Sequence, residues 1–339
     1  MARLKALFTP LILALGAATF LYLLWKFEPA RVWGHLVAFG WGFAVLLPFQ
    51  ILDHMLNAAG WKLAFPPAGS GRVRFRDLVR VRIAGDGVNY LTPSANIAGE
   101  FVRPGMIGGG LPSEVKVTSV LVAKVTQTAG QVFFIFSGLG YLLHARLFDF
   151  DRTHATLGAI GVGGIFLGIV IGVALLVMEP PRWFERRLPA AVKSSAPVRG
   201  LLKSYLLSHP VRMMGSIAFF MLGYAWGAAE IWIICRFLGA PVGLETAFSI
   251  ELFSNMVDAL AFMVPAKIGT QEGGKAVIFK GLGLAPELGF TVGIIRHVRE
   301  IFWAGLGLAL YAAHAKRPRS SPGKRAGRPS PPGADAHAG

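Results

Sequence analysis

Between Ala84 and Met106 the chain reads AGDGVNYLTPSANIAGEFVRPGM, which crowds Asp86, Asn89, Asn96, Glu100 and Arg103 into one short stretch. An arginine of this kind can hold a phosphate or carboxylate through charge-assisted hydrogen bonds. The neighbouring acids can hold an amine, or keep the cation paired while the site is empty. Paired carboxylates can also serve as general acid and base. Pro93 and Pro104 interrupt regular helix. The stretch is flanked by long apolar runs, yet it is too polar to cross a bilayer as a plain helix. Charged, irregular backbone at membrane depth persists only where protein buries it or where it lines a wet cavity. The sequence therefore predicts a re-entrant segment whose ionisable residues form a candidate functional site.

The pattern returns 172 residues later. Asp86, Pro93, Glu100 and Arg103 fall on Asp258, Pro265, Glu272 and Lys275, and Lys124 falls on Arg296. The same shift lays the apolar run 36–59 on 208–231, and 117–143 on 289–315. This predicts an internal repeat with units at about 36–143 and 208–315. In the second unit, Glu251, Asn255 and Asp258 share a helix face, and the chain then breaks at VPAKIGTQEGGKAV, which carries Gln271, Glu272 and Lys275. The last apolar run, 286–314, places Arg296, Arg299, Glu300 and Trp303 on one face with His297 beside it. Arg296 and Glu300 have the i,i+4 spacing of a structural salt bridge. In the first unit, Lys124 shares a face with Gln127, Thr128 and Gln131, and Gln50, Asp53 and Asn57 form a polar stripe on 36–59. Substrate-binding candidates are thus Asp86, Asn89, Asn96, Glu100, Arg103, Lys124, Asp258, Gln271, Glu272, Lys275, Arg296, Arg299 and Glu300.

The elements that must position them are membrane helices. Of 339 residues, 54% are hydrophobic and only 15% are charged, against about 25% charged in an average soluble domain. The net charge of +16 would suggest nucleic acid in a soluble protein, but no basic patch is interleaved with aromatics for base stacking, and the charge is segregated. Residues 60–83, 179–209 and 316–339 carry six Lys or Arg each, whereas 26–35 and 143–155 carry two each and 239–245 none. The positive-inside rule puts the rich segments in the cytoplasm, where they also suit anionic lipid headgroups.

Spans at 6–25, 36–59, 117–143, 157–178, 210–238 and 286–314 satisfy that placement if 84–106 and 246–283 enter and leave on opposite faces. The expected fold is an all-α polytopic membrane protein. It has six spanning helices plus two oppositely oriented re-entrant hairpins in an inverted repeat, within a single transmembrane domain at 1–315. Residues 316–339, rich in Pro, Gly, Ser and basic side chains, read as a disordered cytoplasmic tail. Both termini are then cytoplasmic, in an inner membrane. Lone Cys235 makes no internal disulfide, no Cys/His spacing suggests zinc, and no cofactor is expected.

VNYLTPSANIAGEFVRPGMI and VPAKIGTQEGGKAVIFKGLGL, followed by IIRHVREIFW, resemble the flippase-like family, that is, the membrane region of lysylphosphatidylglycerol synthase and its stand-alone relatives. The resemblance spans about residues 5–315. In the full synthase a soluble transferase domain makes the lipid and the membrane region moves it between leaflets; some stand-alone relatives accompany hopanoid biosynthesis, others glycolipid pathways. It implies a translocase of a lipid or lipid-linked amphiphile with a charged headgroup, not an enzyme, and is compatible with a homo-oligomer. The residues themselves leave open a membrane transferase on a lipid-linked substrate, with Glu100 and Glu272 as acid and base, and an ion or small-solute carrier.

Overall fold

Several helices open on proline: Pro29, Pro210 and Pro286 each occupy the first turn, where the missing N–H would have no partner in any case. The computed structural model describes residues 17–92, 98–108, 110–144, 186–187, 189–260 and 264–316, all helix, turn or coil with no strand among them. Helix α1 covers residues 17–26. It is followed by α2 (Pro29–Phe39), α3 (Gly42–Leu63), α4 (Pro67–Ser70), α5 (Phe75–Leu91), α6 (Ala98–Met106) and α7 (Ser113–His144). Then come α8 (Pro189–Ser208), α9 (Pro210–Phe237), α10 (Leu244–Leu260), a 3-10 turn (Pro265–Lys267), α11 (Thr270–Gly281) and α12 (Pro286–Ala315). The span expected at 157–178, most of 6–25, Pro93, Asn96 and the tail beyond Lys316 lie outside the described residues.

Among the described helices, Ser113–Leu142 and Pro210–Phe237 are long and apolar enough to cross a membrane. The pair α2 and α3 becomes a third if counted as one span, but it bends by 71° at Gly40 and Trp41. Within the span expected at 36–59, a Gly-Trp-Gly sequence breaks the helix near its start. Helix α12 has 30 residues, enough for roughly 45 Å, and carries its charges inside.

The basic connection also ends earlier than expected. Helix α5 begins at Phe75, and Leu78, Val81 and Arg82 are buried, so residues 75–83 belong to the bundle and not to a cytoplasmic loop.

The two sequence units correspond element by element. Helices α3, α5, α6 and α7 begin at residues 42, 75, 98 and 113; α9, α10, α11 and α12 begin at 210, 244, 270 and 286. The packing partners correspond too. Helix α3 packs on α5 as α9 packs on α10, α5 on α6 as α10 on α11, and α6 on α7 as α11 on α12. Across the units, α5 packs on α12 as α10 packs on α7, and α3 packs on α9.

The apolar interior follows this arrangement. One core gathers Trp61, Phe65, Leu78, Val122, Leu202 and Phe220; a second gathers Phe39, Ile231, Ile234, Phe279, Val292 and Ile295. The carboxyl end of α3 is closed by side chains: the Tyr205 hydroxyl donates to the Leu63 carbonyl, and Arg212 Nη2 donates to those of Lys62 (3.2 Å) and Phe65 (3.0 Å), carbonyls that a helix end otherwise leaves unpaired.

Candidate functional site: a charged cavity between the two units

Polar faces of α3, α5, α6, α7, α10 and α12 converge on a cavity of about 710 Å³. On the first-unit side Arg103 is the hub. Its Nη2 donates to Asp86 Oδ1 at 2.6 Å and its Nη1 to Glu100. Arg82 Nε donates to the second Asp86 oxygen at 3.1 Å, and Lys124 Nζ lies 3.5 Å from Glu100 Oε1. The Arg103 guanidinium also sits 5.8 Å from the Trp61 ring centroid, in cation–π range.

Two glycines make this packing possible. At Gly85 a Cβ would lie 2.9 Å from Arg103 Cγ. Gly99 sits against the Gly85 carbonyl while its N–H donates to Asn89 Oδ1 at 2.6 Å. Asn89 thereby fastens α6 to α5.

His54 reaches the same cavity from α3, 3.8 Å from Asp86 and with its ring centroid 4.7 Å from that of Trp303. Both of its ring nitrogens are buried without a hydrogen-bond partner among the described residues. Asp53, one residue before, accepts from the Gln50 and Asn57 amides at 2.9 and 3.0 Å. The polar stripe of α3 thus serves the cavity wall through Gln50, Asp53 and His54.

The second-unit wall is built differently. Lys267 donates to Asp258 at 2.7 Å from a 3-10 turn in which Ala266 and Lys267 have φ of 50° and 54°, a region that non-glycine residues rarely occupy. Arg299 donates to Gln50 at 2.9 Å, to Glu300 at 3.3 Å and to Glu230. Behind this wall Arg296 is bound by Glu230 at 2.8 Å and Glu251 at 2.7 Å, and donates to the Gly227 carbonyl at 3.1 Å. Glu272 accepts the Gly269 N–H at 2.9 Å, capping α11, and lies 2.6 Å from His297 Nδ1.

Of the residues singled out from sequence, Asp86, Asn89, Glu100, Arg103, Lys124, Asp258, Arg299 and Glu300 line the cavity. Gln271, Glu272, Lys275 and Arg296 do not; they are buried behind it, although Gln271 reaches Glu300 at 3.4 Å. Asn96 lies outside the described residues. The Arg296–Glu300 pairing suggested by spacing does not form. Arg296 turns to α9 and α10, because Glu230 and Glu251 offer it two buried carboxylates, and Glu300 is left to Arg299.

Sequence reasoning passed over Arg82, Lys267 and Glu230 as site residues. Arg82 stands four residues before Asp86 on one helix, a readable spacing. Glu230 is an ionisable residue inside an apolar span, itself a signal.

A chain whose described residues form helices and no strand, two of the helices long and apolar enough to cross a membrane, around a charged cavity, is an integral membrane protein. Residues 9–307 match the family described as lysylphosphatidylglycerol synthase TM region, and the chain belongs to that family. Membership connects it with lipid modification or transport. Neither a curated protein nor a solved structure matches the chain.

Proposed function

We propose that this protein is a lipid translocase that passes a lipid or lipid-linked amphiphile between leaflets, headgroup through the cavity and tails in the bilayer. The observation that carries this reading is the charge balance of the wall. Arg82, Arg103, Lys124, Lys267 and Arg299 face Asp53, Asp86, Glu100, Asp258 and Glu300 around one cavity. Burying an unpaired charge is costly, but here an entering headgroup can take over a partner from an existing ion pair. Its phosphate would replace a carboxylate on Arg103 or Arg299; an amine, if present, would replace a guanidinium on Glu100 or Asp86.

Transport is favoured over group transfer because the two candidate acid–base carboxylates are separated. Glu100 stands at the cavity with Arg103, while Glu272 is behind it with His297. In this reading the chain makes six spans with both termini cytoplasmic in an inner membrane, and α5–α6 and α10–α11 are re-entrant hairpins entering from opposite faces. The basic connections then hold anionic lipids, each cation contributing roughly 1 kcal/mol near the surface.

The test is reconstitution of the full chain into phosphatidylcholine/phosphatidylglycerol vesicles carrying a trace of headgroup-labelled fluorescent phospholipid. Reduction by external dithionite should quench well beyond the half expected from the outer leaflet. A plateau at that half for anionic, zwitterionic and amine-bearing labels alike would defeat the proposal.

A further inference from the structure

Under the 172-residue correspondence, Asp86, Glu100, Arg103 and Lys124 match Asp258, Glu272, Lys275 and Arg296. The first four form one connected network open to the cavity. The second four are dispersed. Asp258 is paired with Lys267, Glu272 with His297, and Arg296 with Glu230 and Glu251. Among the described residues Lys275 has no carboxylate in ion-pair contact, although it is 98% buried at 2% exposure. A lysine buried inside a bundle without an ion partner is expensive, so its burial here calls for a state in which it is used.

The seams between the units are unequal in the same sense. Helix α5 meets α12 backbone to backbone: a Cβ on Gly87 would lie 2.7 Å from the Ala304 carbonyl oxygen, and one on Gly307 would lie 3.1 Å from Gly87 Cα. The matching positions of the other seam are Asn255 and Ala259 on α10 and Val132 and Ile135 on α7; these line the cavity, as do Ile83, Gly87 and Ala304 of the first seam, but here the helices meet through side chains, Gly138 of α7 facing Leu252 and Phe248 of α10. One seam is shut backbone to backbone at this level, and its counterpart, held by side chains alone, is the more open.

We infer that Asp258, which already lines the cavity, and Glu272, Lys275 and Arg296, which are buried behind it, form a second headgroup site that is assembled and opened when the two units exchange roles. This rests on the translocase reading and deepens it. In the exchanged arrangement the α5–α12 seam parts and the α7–α10 seam closes. Lys275 then takes Asp258 and Glu272 as Arg103 now takes Asp86 and Glu100, and Arg296 approaches Glu272 as Lys124 approaches Glu100. Units related by inverted repetition alternate in this way around one central site, each presenting its half to a different leaflet. Both sites have the same make-up of two carboxylates and two cations, so both suit the same headgroup class, one carrying a phosphate or carboxylate.

The experiment uses the full chain in detergent with Cys235→Ala as background. Gln131→Cys reports on the present cavity and Lys275→Cys on the hidden site, each labelled with the small anionic reagent 2-sulfonatoethyl methanethiosulfonate. Without further change, Gln131→Cys should react at least about tenfold faster. Adding Gly307→Val, a wedge in the closed seam, should speed Lys275→Cys about tenfold and slow Gln131→Cys. Ala259→Phe, a plug in the open seam, should slow Lys275→Cys further. Equal acceleration of both reporters by the wedge would mean a loosened fold and would overturn the inference, as would rates that neither change moves. Should Gly307→Val fail to fold, Gly307→Ala and Ala259→Phe decide by the same criteria. Labelling reads conformation whether or not lipid moves. Exchange without lipid movement in vesicles refutes the translocase reading alone; lipid movement without exchange refutes the second site alone.

Discussion

Arg103 and Asp86 meet across the break between α5 and α6, Nη2 to Oδ1 at 2.6 Å, and Arg103 is 4% exposed. The guanidinium therefore holds α5 and α6 together as well as facing the cavity. Arg103→Ala leaves Asp86 to Arg82 and Glu100 to Lys124 alone, and loss of one partner from a buried ion pair costs up to about 3–5 kcal/mol. The expected result is a lower unfolding temperature by tryptophan fluorescence in detergent, together with loss of lipid movement. Arg103→Lys should recover most of the stability but little of the transport, since a lysine grips a phosphate at one point where arginine offers two parallel bonds.

Lys124 separates binding from folding. Its side chain is 40% exposed beside Glu100, and an ion pair that accessible contributes at most about 1 kcal/mol. Lys124→Gln should leave thermal unfolding nearly unchanged while slowing movement of an anionic lipid about tenfold, equivalent to ~1.4 kcal/mol. A large drop in stability with transport intact would make Lys124 a structural residue.

Glu230 has the opposite role. It anchors both Arg296 and Arg299 from α9 and is 3% exposed. Glu230→Gln should destabilise the bundle by about 3–5 kcal/mol. Combining it with Arg296→Gln should restore part of that loss, which a double-mutant cycle on unfolding free energies would measure.

Gly99 and Gly105 provide a matched pair on one short helix. A Cβ on Gly99 would collide with the Gly85 carbonyl and lie 2.8 Å from Asn89 Nδ2, whereas nothing lies within 4 Å of one on Gly105. Gly99→Ala should cost about 1–3 kcal/mol by overpacking. Gly105→Ala should be neutral or stabilising, because alanine favours helix over glycine. Equal effects of the two changes would argue against the close approach of α6 to α5.

What the sequence made legible was the part that repeats. Asp86, Glu100, Arg103 and Lys124 stand out because their spacing recurs, and they meet at one cavity. Their counterparts share the spacing but not the setting. Glu272, Lys275 and Arg296 lie behind the wall because the units are packed unequally, and spacing within one unit carries no information about which seam is shut. The partners of Arg296 come from 66 and 45 residues earlier in the chain, on other helices, whereas Glu300 was the near neighbour in sequence. Arg82 was hidden by company: it ends a basic run, and charge alone does not mark where a connection becomes a buried helix.

The bent helix α2 has a consequence for how the chain assembles. It packs on α9 and α12, and Val32 meets Ala276 and Phe290, which lie 244 and 258 residues downstream. At roughly 5–20 residues per second of synthesis, Val32 waits on the order of 13–50 s for Phe290 to exist. During that interval Val32 and Phe39, both buried in the finished bundle, lack their partners on α9 and α12. Closing so long a loop is slow but adds little to its entropic cost. Folding of this protein is therefore completed from its carboxyl end, when α12 arrives and the first helices of the chain come to rest on the last.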